Sequence, residues 1–194
     1  MKIIAIGGVP ATGKTTLMRC VIDKYFSQKE SKRFKWKTIV GVHDPSTKNI
    51  IIGVYDTGMF SGTDRLSMQA PRDFKIWLTK LKDKDVNIFF EGDRLFTASV
   101  LKFIDELKID RYFLRLNVCK KSRDFRAKER SDTQTDQFIK GRYTKLDNIE
   151  KEISIESWDH ENENDTNEIL KSFERFLKKG KKKATRRRPK KLDE

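Results

Sequence analysis

The stretch KIIAIGGVPATGKTTLMRC, residues 2 to 20, constrains this chain more than any other part of it. Ile3, Ile4, Ala5 and Ile6 make an apolar run of strand length, and Gly8 to Thr15 match the pattern G-x-x-x-x-G-K-[ST] in full. Leu17, Cys20, Val21 and Phe26 then recur on a helical period. A glycine-bearing turn between a buried strand and a helix is the setting in which this pattern holds phosphate. Gly8, Val9, Pro10, Ala11, Thr12 and Gly13 are expected to wrap an anion, with the positive end of the following helix behind it. Lys14 is placed to reach the β- and γ-phosphates, Thr15 to ligate Mg²⁺, and Thr16 to face the nucleotide from the first helical turn. The expected ligand is a nucleoside triphosphate.

The 194 residues suit one domain, and the strands and helices that alternate after the loop point to a parallel sheet covered on both faces. The expected class is α/β: a P-loop three-layer sandwich with a mainly parallel sheet, a β-hairpin insertion and an arginine-rich lid. Residues 38 to 55 hold two β-rich runs, KTIVGVHD and NIIIGVYD, joined by Pro45, Ser46, Thr47 and Lys48 as a hairpin, either an antiparallel insertion or an edge. The preceding SQKESKRFKWK is polar and charged. A helix is predicted around Phe74, Trp77, Leu78 and Leu81 with Pro71 near its start, a buried strand in VNIFFEGD and another helix over Val100 to Leu107. RYFLRLNV reads as a third core strand, and Lys120 to about Glu152 as a long polar helical region. The last helix is predicted over Thr166 to Leu177 with Asp165 as its N-cap.

The domain is therefore expected over residues 1–177, followed by a disordered basic tail, residues 178–194. That tail carries ten lysines or arginines against two acids, more than half of the formal net charge of +14. Such a surplus attracts polyanions, so a nucleic acid, DNA or RNA, is the expected partner, with a solubilising tail or a nuclear-targeting run as the alternatives. Cys20 and Cys119 suit buried reduced thiols and a cytoplasmic protein, and no run approaches the length of a membrane span. His43 and His160 stand apart from the cysteines and from each other, so neither reads as a metal ligand.

In a parallel sheet ligands collect at the carboxyl ends of the strands. FFEGDR puts Glu91 and Asp93 at one such end, where a carboxylate can hold Mg²⁺ through water, with Arg94 beside them for phosphate or for pairing with those acids. Asp56 ends another β-run. Gly58 and Gly62 in DTGMFSGTDRLSM permit close backbone approach, and Asp64 and Arg65 add an acid and a planar donor, so the loop suits an acceptor whose hydroxyl proton goes to Asp56 or Asp64. Phe60, Trp77 and Phe89 are candidates either to stack on a base or to fill the core. Arg123, Arg126 and Arg130 share one helical face, suited to close over a triphosphate and supply charge in the transition state. Lys140, Arg142 and Lys145 extend the basic surface.

The order of the phosphate loop from Gly8 to Thr15, the acidic strand end from Glu91 to Arg94 and the arginine segment from Arg123 to Arg130 resembles the nucleoside and nucleotide kinase-like branch of the P-loop fold. The glycine-acid loop FSGTDRLSM together with the basic tail is similar to small bacteriophage kinases that phosphorylate 5-hydroxymethyluracil within DNA. That resemblance implies ATP with Mg²⁺ and transfer of the γ-phosphate to a hydroxymethyl group on an accessible base. The Asp-Arg-Tyr/His or Glu-Arg-Ser triplet associated with thymidylate and deoxynucleoside kinases is replaced here by Glu91-Gly92-Asp93-Arg94-Leu95. Two other readings stay open: a kinase for a nucleoside, a nucleoside monophosphate or a 5′-hydroxyl polynucleotide end, and a nucleic-acid-binding NTPase.

Overall fold

The computed structural model describes residues 1–55, 62–129, 131 and 133–179. Its strands are β1 (Lys2–Gly7), β2 (Lys32–Trp36), β3 (Ile39–Asp44), β4 (Asn49–Ile52), β5 (Asn87–Glu91), β6 (Asp110–Asn117) and β7 (Glu156–Asp159). The helices are α1 (Lys14–Tyr25), α2 (Ala70–Leu81), α3 (Ala98–Glu106), α4 (Lys120–Glu129), α5 (Asp136–Glu152) and α6 (Glu163–Lys178). One sheet of order β2-β3-β4-β5-β1-β6-β7 results. The five strands from β4 to β7 in that order pair in parallel, while β3 pairs antiparallel with both β2 and β4.

Alternation along the strands divides the core into two layers. Ile3 and Ala5 of β1 join Ile88 and Phe90 of β5 in packing against α2, α3 and α5 through Phe74, Leu78, Leu101, Ile104 and Ile149. Ile4 and Ile6 join Phe89 and Leu114 in packing against α1 and α6 through Leu17, Met18, Val21, Ile169 and Phe173. Burial of β1 on both faces explains its unbroken apolar run, each of its isoleucines stabilising the fold by about 1.5–3 kcal/mol. The chain is thus an α/β sandwich, and the five parallel strands bring their carboxyl ends to one edge.

Several local readings are corrected by tertiary contacts. The polar stretch before residue 38 contains β2, because Phe34 and Trp36 alternate with Lys35 and pack onto the first core layer, Phe34 stacking on Trp77 at 5.8 Å. The hairpin is real, but β4 is more than an edge: it lies within the sheet and pairs in parallel with β5. The long polar region is two helices, the second capped by Thr135, whose side chain accepts from the Phe138 N–H. The last helix begins at Glu163. Its N-cap is Asn162, with the side chain accepting from the N–H of Asp165, and Asp165 reaches back to the Asn162 N–H in a reciprocal box. Phe89 and Trp77 are core: Phe89 is sealed against Tyr25 and Phe26, and Trp77 is sandwiched near Phe34 and Phe74.

The β3–β4 turn is organised by Asp44, which has no exposed surface. Its carboxylate accepts from the N–H groups of Ser27, Ser46 and Thr47 and from the Ser46 hydroxyl. Burial pushes this carboxyl up, but the hydrogen bonds from Ser27, Ser46 and Thr47 outweigh it and hold the group well below the usual carboxylate range. A depressed pKa stabilises the fold above the unfolded value of about 4, and that contribution is lost as pH falls through the lower folded value. Asp44→Ala is expected to cost about 2 kcal/mol or more at pH 7, and the difference from wild type should shrink toward pH 2 in urea titrations. A constant difference across that range would contradict the assignment.

Candidate functional site

The phosphate loop leaves β1, turns through Gly8 to Gly13 and enters α1 at Lys14, as its sequence requires. The Thr12 hydroxyl ties the loop internally by donating to the Val9 carbonyl at 2.9 Å. Lys14 folds over the loop, its Nζ donating to the carbonyls of Gly8 at 2.8 Å and Val9 at 3.0 Å. This places a cation at the mouth of the cradle, where β- and γ-phosphate oxygens would exchange for those carbonyls.

Opposite the loop stand the acids that end β5. Glu91 is buried and accepts from the Thr15 hydroxyl at 3.1 Å. Burial pushes its carboxyl up to about 7, against the pull of Lys14, with the charges of Asp64 and Asp93 adding to the rise and the Thr15 bond opposing it. Gly62 closes over this carboxylate with φ +73, and a Cβ there would lie 2.1 Å from Glu91 Oε1. A glycine is therefore needed at that point of the loop. Asp64, in the short turn Thr63–Arg65, belongs to an exposed residue, yet its carboxyl is crowded at the cleft mouth. Desolvation raises its pKa, and the Asp93 charge adds to that while Lys14 opposes it. One of its oxygens accepts from the Arg94 N–H at 3.2 Å.

Asp93 turns toward α5. Arg142 Nε lies 3.2 Å from one carboxylate oxygen and Lys145 Nζ 3.6 Å from the other, and Lys145 also donates to the Asp93 carbonyl. Burial lowers the Lys145 pKa although Asp93 draws it upward. Asp93 is thus held by cations, which leaves Thr15 and Glu91 as the pair best placed for a metal. Among the described residues no three His, Cys, Asp or Glu side chains gather as a metal cluster, so an ion here would be completed by phosphate and water oxygens.

The two arginines of α4 within the described residues diverge. Arg123 pairs with Asp124 at 2.7 Å and donates to the Tyr143 hydroxyl. Arg126 reaches over the loop instead: one terminal nitrogen donates to the carbonyls of His160 at 3.0 Å and Glu161 at 2.9 Å. Its other terminal nitrogen is buried without a partner among the described residues. That nitrogen lies 3.7 Å from where a Cβ on Gly13 would be, so the unmet donor faces the phosphate loop. It borders a cavity of about 480 Å³ lined by Gly13, Thr16, Cys20, Glu129, Asn162 and Thr166, next to the phosphate cradle and of a size to take a nucleoside. The positive-φ cradle, the free arginine donor and the adjoining cavity fit ATP.

No family model and no curated protein matches the chain. Among solved structures it is similar to a gluconokinase from Sinorhizobium meliloti 1021, at 12% identity over 91% of each chain and a TM-score of 0.49.

Of the residues singled out in the sequence, Lys14, Thr15, Glu91 and Asp64 converge on one cleft, Arg126 lies beside Gly13 of the same loop, Asp93 joins the cleft wall and Arg123 turns to Asp124. Asp56, Phe60 and Arg130 lie outside the described residues, as does the tail beyond Lys179. No helix of the described residues is long and apolar enough to cross a membrane. Sequence reasoning missed His160, which is buried against the loop. It follows a short, largely exposed strand, β7, whose place beside β6 becomes visible only once the sheet is assembled.

Proposed function

We propose that this chain is an ATP-dependent phosphotransferase acting on a hydroxyl, and that the hydroxyl is the hydroxymethyl group of 5-hydroxymethyluracil in DNA. One observation carries the phosphotransferase reading: Thr15 of the phosphate loop bonds Glu91 at 3.1 Å, and Asp64 Oδ1 lies 3.1 Å from where a Cβ on the adjoining Gly92 would be, so phosphate-binding and acidic groups share one cleft. The loop and Arg126 hold the triphosphate, and Lys14 neutralises charge on the transferring group. Mg²⁺, held by Thr15 and through water by Glu91, would screen the phosphates against one another. Asp64 takes the acceptor's hydroxyl proton. As that oxygen bonds to the γ-phosphorus, the bond to the β,γ-bridging oxygen breaks, giving ADP and a phosphomonoester. A carboxyl raised above the ordinary aspartate range, as Asp64 is, is a stronger base for this step.

The polymeric acceptor is supported by the rim of the cleft. Phe138 is 39% exposed and stacks under the Arg142 guanidinium at 4.5 Å, one residue pair away from Asp93. Met68, 78% exposed, meets the Arg94 guanidinium on the Asp64 side. Exposed apolar groups backed by arginine suit a base and its phosphates, and the chain's +14 charge favours a polyanion.

The test is transfer of labelled γ-phosphate from ATP to duplex DNA bearing 5-hydroxymethyluracil, beside thymine DNA, the free nucleoside and its monophosphate. Label on the modified polymer alone, falling with added salt, is the expected result. Asp64→Asn should then lower the rate about 10²-fold or more with ATP affinity unchanged. Label on monomers alone would replace the DNA acceptor with a small one, and free phosphate without a labelled acceptor would make the protein an NTPase.

A further inference from the structure

We infer that His160 is a positioning residue that sets the phosphate loop for its anion, an inference that rests on the nucleotide-binding reading above. His160 follows β7, and its backbone N–H donates to the Asn117 carbonyl at 2.9 Å, anchoring it to the end of β6. The side chain is 5% exposed and lies against the loop. Nδ1 is 2.9 Å from the Thr12 carbonyl and Nε2 is 2.8 Å from the Thr166 hydroxyl at the start of α6. A carbonyl only accepts, so Nδ1 carries the proton and donates to Thr12; in the neutral ring Nε2 accepts from Thr166.

The bond fixes more than a side chain. In a trans peptide the C=O and the next N–H point in opposite directions, and the chain has no cis peptide among its described residues. Holding the Thr12 carbonyl outward on His160 therefore turns the Gly13 N–H the other way, into the loop, as an anion donor. The approach is close enough to dictate the neighbouring residue: a Cβ on Gly13 would lie 2.5 Å from Nδ1, and Gly13 has φ +88. The same segment receives Arg126 on the carbonyls of His160 and Glu161. His160 thus orients one wall of the phosphate site, and its carbonyl with that of Glu161 holds Arg126 on the same side of Gly13.

The test measures binding of ATP and of inorganic tripolyphosphate by calorimetry, with melting temperature recorded for each variant. His160→Ala is expected to weaken both anions at least 10-fold. His160→Asn, whose Nδ2 can occupy the place of Nδ1, should recover affinity to within about 3-fold of wild type. Tyr112→Phe removes a hydroxyl that bonds Glu156 of β7 and Ser172 of α6 away from the loop, so it should lower the melting temperature while keeping tripolyphosphate affinity within about 3-fold. Equal losses in Asn and Ala variants, or a loss in Tyr112→Phe as large as in His160→Ala, would assign the histidine a merely structural role and overturn the inference. Wild-type affinity in His160→Ala would overturn it as well. A wild-type protein that binds neither ATP nor tripolyphosphate would instead overturn the nucleotide reading, and this inference with it.

Discussion

Lys14→Ala is expected to lower single-turnover phosphoryl transfer by about 10³-fold, about 4 kcal/mol of transition-state stabilisation, at saturating ATP. The size follows from where the ammonium sits. Lys14 rests on the Gly8 and Val9 carbonyls, inside the cradle and with Glu91 and Asp64 in its field. Charge that shifts between the β- and γ-phosphates during transfer is met there by a fixed cation in a partly dry cleft, where it counts for more than in water. Because the loop amides and Arg126 remain, ATP affinity should fall less than the rate. Measuring both by single-turnover kinetics across an ATP series separates the two. A variant within 10-fold of the wild-type rate would remove Lys14 from the chemistry.

Glu91→Gln should move activity and stability in opposite directions. The rate should drop about 10²-fold or more, since Glu91 is the carboxylate bonded to Thr15 and the one placed to hold Mg²⁺ through water. Stability responds through linkage. Burial pushes the Glu91 carboxyl up to about 7, whereas in the unfolded chain it titrates near 4.3. A raised carboxyl pKa gives a contribution fully present below the unfolded value and lost as pH rises through the folded one. The metal-free protein is therefore destabilised between about pH 5 and 8 by this one group, on the order of 3 kcal/mol at the upper end. Glutamine has nothing to ionise, so urea titrations in a chelator should show Glu91→Gln more stable than wild type at pH 8 and nearly equal at pH 5. A variant that is less stable at pH 8, or that retains its rate, would rule out this role for Glu91.

The two predictions draw on different depths of legibility. Lys14 and Thr15 were readable because the loop chemistry is local: glycines, a lysine and a hydroxyl within eight residues dictate their own geometry. Glu91 was readable as a strand end with an acid on it, though its bond to Thr15 crosses 76 positions. Asp93 looked equivalent to Glu91 in FFEGDR, and only α5, bringing Arg142 and Lys145, separates the two roles. Arg123 and Arg126 likewise share a helical face in sequence. Asp124 and Tyr143 hold one away, while the backbone after β7 holds the other over the loop.

By itself the sequence determined the α/β class, the central buried strand and the phosphate loop, because periodicity and glycine spacing act over a few residues and survive in any context. β2 needed Trp77 from a distant helix to make its half-polar alternation a strand, and β7 needed β6 beside it. His160 shows the limit most clearly. Nothing around it in the chain marks it as special, and its contact with Thr12 spans 148 residues. Only the sheet order, which sets β7 two strands from β1, brings that ring onto the loop, since long-range contacts are decided by how the layers pack and not by local preference.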